Sequence, residues 1–291
     1  MAITSYDVCS CMNNRWLHRF AILLSIGALL LIIEGALAGR TSLHPILGLP
    51  VALLALIPAV WLITLPNTPA QVRWLGWITV ALAAATPGLR LYAVFGGSES
   101  KLVGIAHAVL GPLFFAATVA IAVVTSAAWV RGPELVNDYG WPSNRSLAVV
   151  SPFLILMQIA LGAAFRQKAI SLMPHVLGAM FVALVILMQC IFVLQQFKTH
   201  RALQAAGKTL LGVAFAQVFL GMTALIMRSM AEETAQPVVI TVASHITGGA
   251  ITLSASLVLS ILVRRNVQPR PQEEAEEPEK PEKPEKPAAT G

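Results

Sequence analysis

Apolar residues in this chain gather into eight long runs, at about 19–38, 44–64, 74–95, 102–130, 146–165, 172–197, 209–227 and 238–263. Each run is close to the roughly 20 residues that an α-helix needs to cross the hydrocarbon core of a bilayer. The pattern predicts an all-α, polytopic membrane protein with eight transmembrane helices. Several runs contain Pro or Gly, among them Pro50, Pro58, Pro87, Gly88, Gly111, Pro112 and Pro152. Bilayer helices tolerate these residues because neighbouring helices satisfy the freed backbone groups, so kinks are expected there.

Composition agrees with the pattern. Apolar residues make up 56% of the chain and charged residues 12%, and the mean hydropathy of +0.73 excludes an ordinary soluble globular protein. The first run follows Arg15, His18 and Arg19 and continues past signal-peptide length without a small-residue cleavage site, so the first helix is expected to be retained. Cys9, Cys11 and Cys190 form no secreted disulfide framework. Cys9-Ser-Cys11 could bind metal or lipid, but an unstructured N-terminal stub is the simpler reading.

Charge sets the expected orientation. With eight spans, one side owns ten basic residues: Arg15, Arg19, Arg73, Arg131, Arg145, Lys198, Arg201, Lys208, Arg264 and Arg265. The other side owns six: Arg40, Arg90, Lys101, Arg166, Lys168 and Arg228. The positive-inside rule therefore places both termini in the cytoplasm. From residue 266 the chain turns to Pro, Glu and Lys, with Glu-Lys-Pro repeated at 279–281, 282–284 and 285–287, which predicts a solvated tail. Over residues 1–265 there are 16 basic and 7 acidic residues, an excess that suits an anionic lipid surface and needs no nucleic acid. The expected organisation is a cytoplasmic N-terminus over 1–18, a four-helix bundle over 19–130, a cytoplasmic linker over 131–145, a second bundle over 146–265 and a disordered tail over 266–291.

The chemistry lies in a repeated histidine. His44, His107, His175 and His245 each stand at the outer end of an even-numbered helix, and each is followed a turn later by Gly48, Gly111, Ala179 or Gly249. The odd-numbered helices end near Arg40, Arg90, Arg166 and Arg228. Arg90 to His107 and Arg228 to His245 are both separated by 17 residues, Gly35-Ala36 before Arg40 is echoed by Gly162-Ala163 before Arg166, and Gln158-x-x-x-Gly162 recurs as Gln217-x-x-x-Gly221. These echoes predict two tandem four-helix bundles related by an axis along the membrane normal.

Two histidines at one depth on alternate helices can face each other across a bundle and fill both axial positions of a haem iron. A small residue on the ligand's face leaves room for a flat macrocycle, and arginines at the outer interface can meet its propionates. A lone histidine is more often an interfacial residue, and a lone arginine at a helix end is more often a snorkelling anchor. Fourfold repetition favours the ligand role for the histidines. It weighs less for the arginines. His18 and His200 fall outside the pattern and are expected to be solvated. Glu34 is the only acidic residue inside an apolar run, which makes it a candidate functional group, with protonation or pairing to Arg40 as the bland alternative. Interhelical hydrogen bonding accounts for Gln158, Gln189 and Gln217.

These residues resemble the heme A synthase family, eight-helix membrane enzymes that oxidise the methyl group of haem O to the formyl group of haem A. The resemblance covers most of residues 15–265. Its carriers are Leu17-His18-Arg19-Phe20-Ala21, Ile105-Ala106-His107-Ala108 with Leu113-Phe114-Phe115, Gln158-Ile-Ala-Leu-Gly162-Ala163, Pro174-His175-Val-Leu-Gly178-Ala179, and Ser244-His245 with Gly248-Gly249-Ala250. It implies that His44 pairs with His107 around substrate haem O or haem A in the N-terminal half. It implies that His175 pairs with His245 around a haem b cofactor in the C-terminal half. It further implies a place in the cell's inner (plasma) membrane, an electron acceptor, and haem O synthase or oxidase-assembly proteins as partners. The sequence departs from the family pattern at the substrate side. The first outer loop, Gly39-Arg-Thr-Ser-Leu43, is short and lacks the family's cysteine pair, and Thr41 stands where the family has a glutamate. Glu34, on a different helix, is the nearest stand-in for that catalytic carboxylate.

Two rival readings remain at this stage. One is a non-catalytic haem carrier or electron-transfer cytochrome on the same scaffold, although ligands clustered at one face do not make a wire across the bilayer. The other is a transporter with parallel repeats, which lacks a midplane set of charged residues.

Overall fold

Eight long helices organise the computed structural model, which describes residues 15–37, 43–66, 68–95 and 100–269; within its helices the side chains of residues 43–45, 90 and 93–94 also lie outside the description. The helices are α1 (Arg15–Leu37), α2 (Leu43–Thr64), α3 (Ala70–Phe95), α4 (Lys101–Val124), α5 (Asn144–Arg166), α6 (Leu172–Gln196), α7 (Arg201–Met230) and α8 (Gln236–Asn266). Among the described residues, seven are long and apolar enough to cross a membrane; the exception among the eight is α3, which carries Arg73 and Arg90 towards its two ends.

The outer surface is apolar. Phe215 and Phe219 on α7 are 68% and 71% exposed, and Leu184 on α6 is 65% exposed. Burying one such side chain away from water is worth roughly 1.5–3 kcal/mol, so a surface covered in them belongs in lipid. The chain is an all-α protein embedded in a membrane.

In the first half α1 packs on α2, α2 on α3, α3 on α4, and α4 back on α1; in the second, α5 to α8 follow the same order, with α8 back on α5. Between the halves α8 lies against α4 and α1, and α4 lies against α5. The first-half core is rich in small residues, including Ala28, Ala52, Ala55 and Ala83, which let helix backbones approach closely where water supplies no driving force. The second half packs larger residues, among them Ile186, Val193, Leu203, Leu210 and Leu259.

Element boundaries depart from the hydropathy pattern in three places. The continuous apolar run at 102–130 is broken after Val124: Ser126 caps a separate one-turn helix at Ala127–Val130, its hydroxyl accepting from Trp129 N. The seventh helix begins at Arg201 rather than near 209, because His200 caps it and its first turn tolerates charge. The eighth runs to Asn266 and is followed by an ordered strand, so residues 266–269 belong to the fold rather than to a tail. Residues 270–291 of the expected tail lie outside the described residues.

That strand, β2 (Val267–Gln268), pairs in parallel with β1 (Val136–Asn137) in the segment joining the two halves. Asp138, only 2% exposed, accepts from Gly140 N, Arg145 N and Asn144 Nδ2 at the start of α5, where a carboxylate complements the helix dipole. Glu134 N donates to Asn266 Oδ1 at 2.9 Å, and Arg265 lies 3.8 Å over the Trp129 ring. The joining segment is thereby clamped to the end of α8.

His200 is part of this clamp, contrary to the solvated position expected for it. It is 2% exposed; Nδ1 accepts from Leu203 N at 3.2 Å and Nε2 lies 3.2 Å from the Glu134 carbonyl. The joining segment folds over a histidine that looks exposed in sequence. His18 is likewise engaged rather than free, its Nδ1 lying 3.0 Å from the Ala122 carbonyl and so tying α1 to the end of α4.

Candidate functional site

The four helices of the second half bring two of the sequence's histidines together. His175 lies in the first turn of α6 and His245 two to three turns into α8. These helices are diagonal partners, each flanked by α5 and α7, so their inward side chains meet across the interior. The two imidazole rings have centroids 6.2 Å apart and planes inclined at 85°.

A glutamine holds each histidine from the preceding helix. Gln158 of α5 donates Nε2–H to the His175 carbonyl at 2.7 Å, and the same nitrogen lies 2.9 Å from His175 Nδ1. Gln217 of α7 donates to the His245 carbonyl at 3.0 Å. Gln158 Oε1, Gln217 Oε1 and His245 Nδ1 are buried without hydrogen-bond partners.

Glycines make these approaches possible. A Cβ on Gly162 would stand 2.9 Å from His175 Cε1, and one on Gly221 would stand 2.8 Å from His245 Cε1. A Cβ on Gly178 would stand 2.5 Å from Gln158 Oε1, and one on Gly248 would strike Gln217 Oε1. Each ring thus lies on a glycine of the facing helix, and each amide lies on a glycine three residues after the histidine. The small residues expected to make room for a macrocycle are Ala179 and Gly249, four after each histidine; the glycines one position earlier, Gly178 and Gly248, make room for the glutamines. The repeated Gln-x-x-x-Gly phrase was visible in sequence, but which histidine it served was not, because the contact joins different helices.

Two arginines crown this arrangement. Arg166 ends α5 beside Phe165, and Arg228 stands in the last turn of α7. Arg228 lies 5.4 Å from the Phe165 ring centroid and pairs with Glu233. Two guanidiniums thereby share one end of the bundle, the end at which His175 begins its helix.

The first half is less complete. His107 on α4 is half-buried. A Cβ on Gly111 would stand 4.0 Å from Ile32 Cγ1 of α1. Glu34 is two residues beyond Ile32 and His107 four before Gly111, so at about 1.5 Å rise per residue they differ by only about 3 Å in depth. His44 is in the first turn of α2, but its side chain lies outside the description, as does that of Arg90. Arg40 lies outside the described residues altogether. The His44–His107 pairing therefore has no described geometry, whereas His175 and His245 face each other within the bundle that Arg166 and Arg228 close at one end.

Among the described residues no three or more His, Cys, Asp or Glu side chains converge as a metal-binding group. The second-half site offers two imidazoles and no further protein ligand of those types. That donor set suits an iron whose in-plane positions are filled by a macrocycle, and suits a four-coordinate structural zinc poorly. The chain matches no known protein-family profile and no curated protein.

Proposed function

We propose that this protein is a heme A synthase-like membrane haem protein of eight transmembrane helices, built as two tandem four-helix bundles, with His175 and His245 as the axial ligands of one haem. The ring geometry is the observation that carries the reading. An imidazole nitrogen binds a first-row metal at about 2.0–2.1 Å, and the ring centre lies roughly 1.1 Å behind it. Two imidazoles whose Nε2 atoms both faced one iron would have centroids about 6.3 Å apart, and the centroids here are 6.2 Å apart. The tandem arrangement is supported by the helix neighbours, which map onto themselves when α1–α4 are exchanged with α5–α8: α1 against α8 becomes α5 against α4.

In this reading a haem b in the second half supplies one-electron transfer. His175 and His245 orient it, and Arg166 with Arg228 meets its propionates through charge-assisted hydrogen bonds. The first half takes haem O, with His44 and His107 as ligands and Arg40 and Arg90 as propionate partners. Glu34 stands at the depth of His107 as the carboxylate of the oxidising site. A separate acceptor would take the electrons, with haem O synthase and oxidase-assembly proteins as the natural neighbours. The excess of basic residues on one set of loops supports a plasma-membrane orientation with both termini in the cytoplasm. A non-catalytic haem cytochrome is the second reading, favoured by Thr41 and the short loop at the substrate side.

Co-expression with a haem O source in a host lacking its own enzyme separates the two. The proposal expects hydroxylated haem O or haem A from the wild type, and much less from Glu34→Gln with haem still bound. Haem binding without either product, with redox partners supplied, selects the non-catalytic reading.

A further inference from the structure

Resting on the haem reading of the second half, we infer that Gln158 and Gln217 are positioning residues for the histidine pair: each fixes its histidine's helix in depth through the backbone carbonyl, and Gln158 also meets the ring's Nδ1.

The bond to the carbonyl is unusual. A helical carbonyl already accepts from the amide four residues on, and an extra donor from another helix does nothing for helix formation itself. It locks α5 to α6, and α7 to α8, at the level of the ligand. The lock is built twice with the same parts, Gln158-x-x-x-Gly162 with His175-x-x-Gly178 and Gln217-x-x-x-Gly221 with His245-x-x-Gly248. All four glycines are sterically required, although Gly inside a helix costs about 1 kcal/mol relative to Ala.

Glutamine is the side chain that fits both states of the ring. A ring whose Nδ1 accepts carries its proton on Nε2. A ring that ligates iron through Nε2 is the other neutral tautomer, with its proton on Nδ1, and it needs an acceptor there. Ligating histidines almost always donate that second N–H to a partner. In the structure Nε2 of Gln158 faces Nδ1, and the buried Oε1 atoms of Gln158 and Gln217 have no partner. Rotating the amide presents Oε1 to that proton and gives up the bond to the His175 carbonyl, because one Nε2 makes both contacts; the carbonyl bond therefore belongs to the site before haem binds. Leucine offers neither group, and glutamate offers only the acceptor.

The Gln-x-x-x-Gly phrase belongs to the second half. In α1 the echo of Gly162-Ala163 is Gly35-Ala36, and the position matching Gln158 is Leu31. The second half is therefore built to hold its histidine-bearing helices at one depth before the cofactor binds.

The test uses full-length protein purified in detergent, with haem content, low-spin electron paramagnetic resonance signals and midpoint potential as readouts. Gln158→Leu and Gln217→Leu should each weaken retention of the second-half haem by about 10–100-fold, the usual effect of removing such a partner, and should shift its low-spin signal. Gln158→Glu should retain the haem with a lower midpoint potential, because a carboxylate on Nδ1–H makes the imidazole a stronger donor; it also serves if the leucine variants do not fold. Folded leucine variants with wild-type retention and signal, or a glutamate variant with unchanged potential, would overturn the inference. Failure of the haem reading itself looks different: His175→Ala and His245→Ala would then leave the wild-type spectrum intact.

Discussion

Gly162 of α5 lies directly under the imidazole of His175 on α6, so close that a Cβ there would come within 2.9 Å of the ring. The ring's position is thus set by backbone. No side chain can rotate away to restore it if the glycine is replaced. Gly221 bears the same relation to His245, at 2.8 Å.

Gly162→Ala and Gly221→Ala should therefore displace the rings and reduce haem retention several-fold. Gly212→Ala, on the same helix as Gly221 but with nothing within 4 Å of its Cβ, should leave haem binding unchanged and stabilise α7 by up to about 1 kcal/mol. Haem titration and thermal unfolding of the three variants in one detergent check this contrast.

The clamp between the halves should matter for stability and not for haem. His200→Ala removes the cap of α7 at Leu203 N and the contact to Glu134. Losing a helix cap costs about 0.5–2 kcal/mol, so the melting temperature should fall by a few degrees while the haem spectrum is unchanged. An altered spectrum would mean that the clamp reaches the site.

The two ends of the helices should be labelled from opposite sides of the membrane. In a variant lacking the three native cysteines, Ala231→Cys should react with an impermeant thiol reagent in spheroplasts, and Tyr139→Cys only after lysis. Both positions are exposed, so the difference reports topology. The reverse pattern would put the histidines in the cytoplasmic leaflet.

Sequence carried the membrane class because apolar runs of membrane length are long-range composition, insensitive to packing. Spacing placed His175 and His245 on alternate helices, and the packing of those helices brings their rings to 6.2 Å. What the glycines at 178 and 248 hold was not legible, since Gln158 and His175 meet only when α5 and α6 pack side by side. Hydropathy also read straight through Thr125 and Ser126. The Thr125 hydroxyl bonds back to the Ile121 carbonyl at 2.8 Å and Ser126 starts a new turn, so two hydroxyls break a helix without lowering the apolar average much. His200 looked solvated because the segment that buries it is polar, and that segment's fold depends on the two-residue pairing with Val267–Gln268 at the far end of the chain.

The account stands most directly on the pairing of His175 with His245 around one iron. The deciding measurement is the low-spin spectrum and haem stoichiometry of purified wild type, His175→Ala and His245→Ala. The account predicts that the wild type holds a bis-histidine low-spin haem and that either substitution alone abolishes that signal. Both single variants retaining the wild-type signal, or a wild type that takes up no haem, would contradict it.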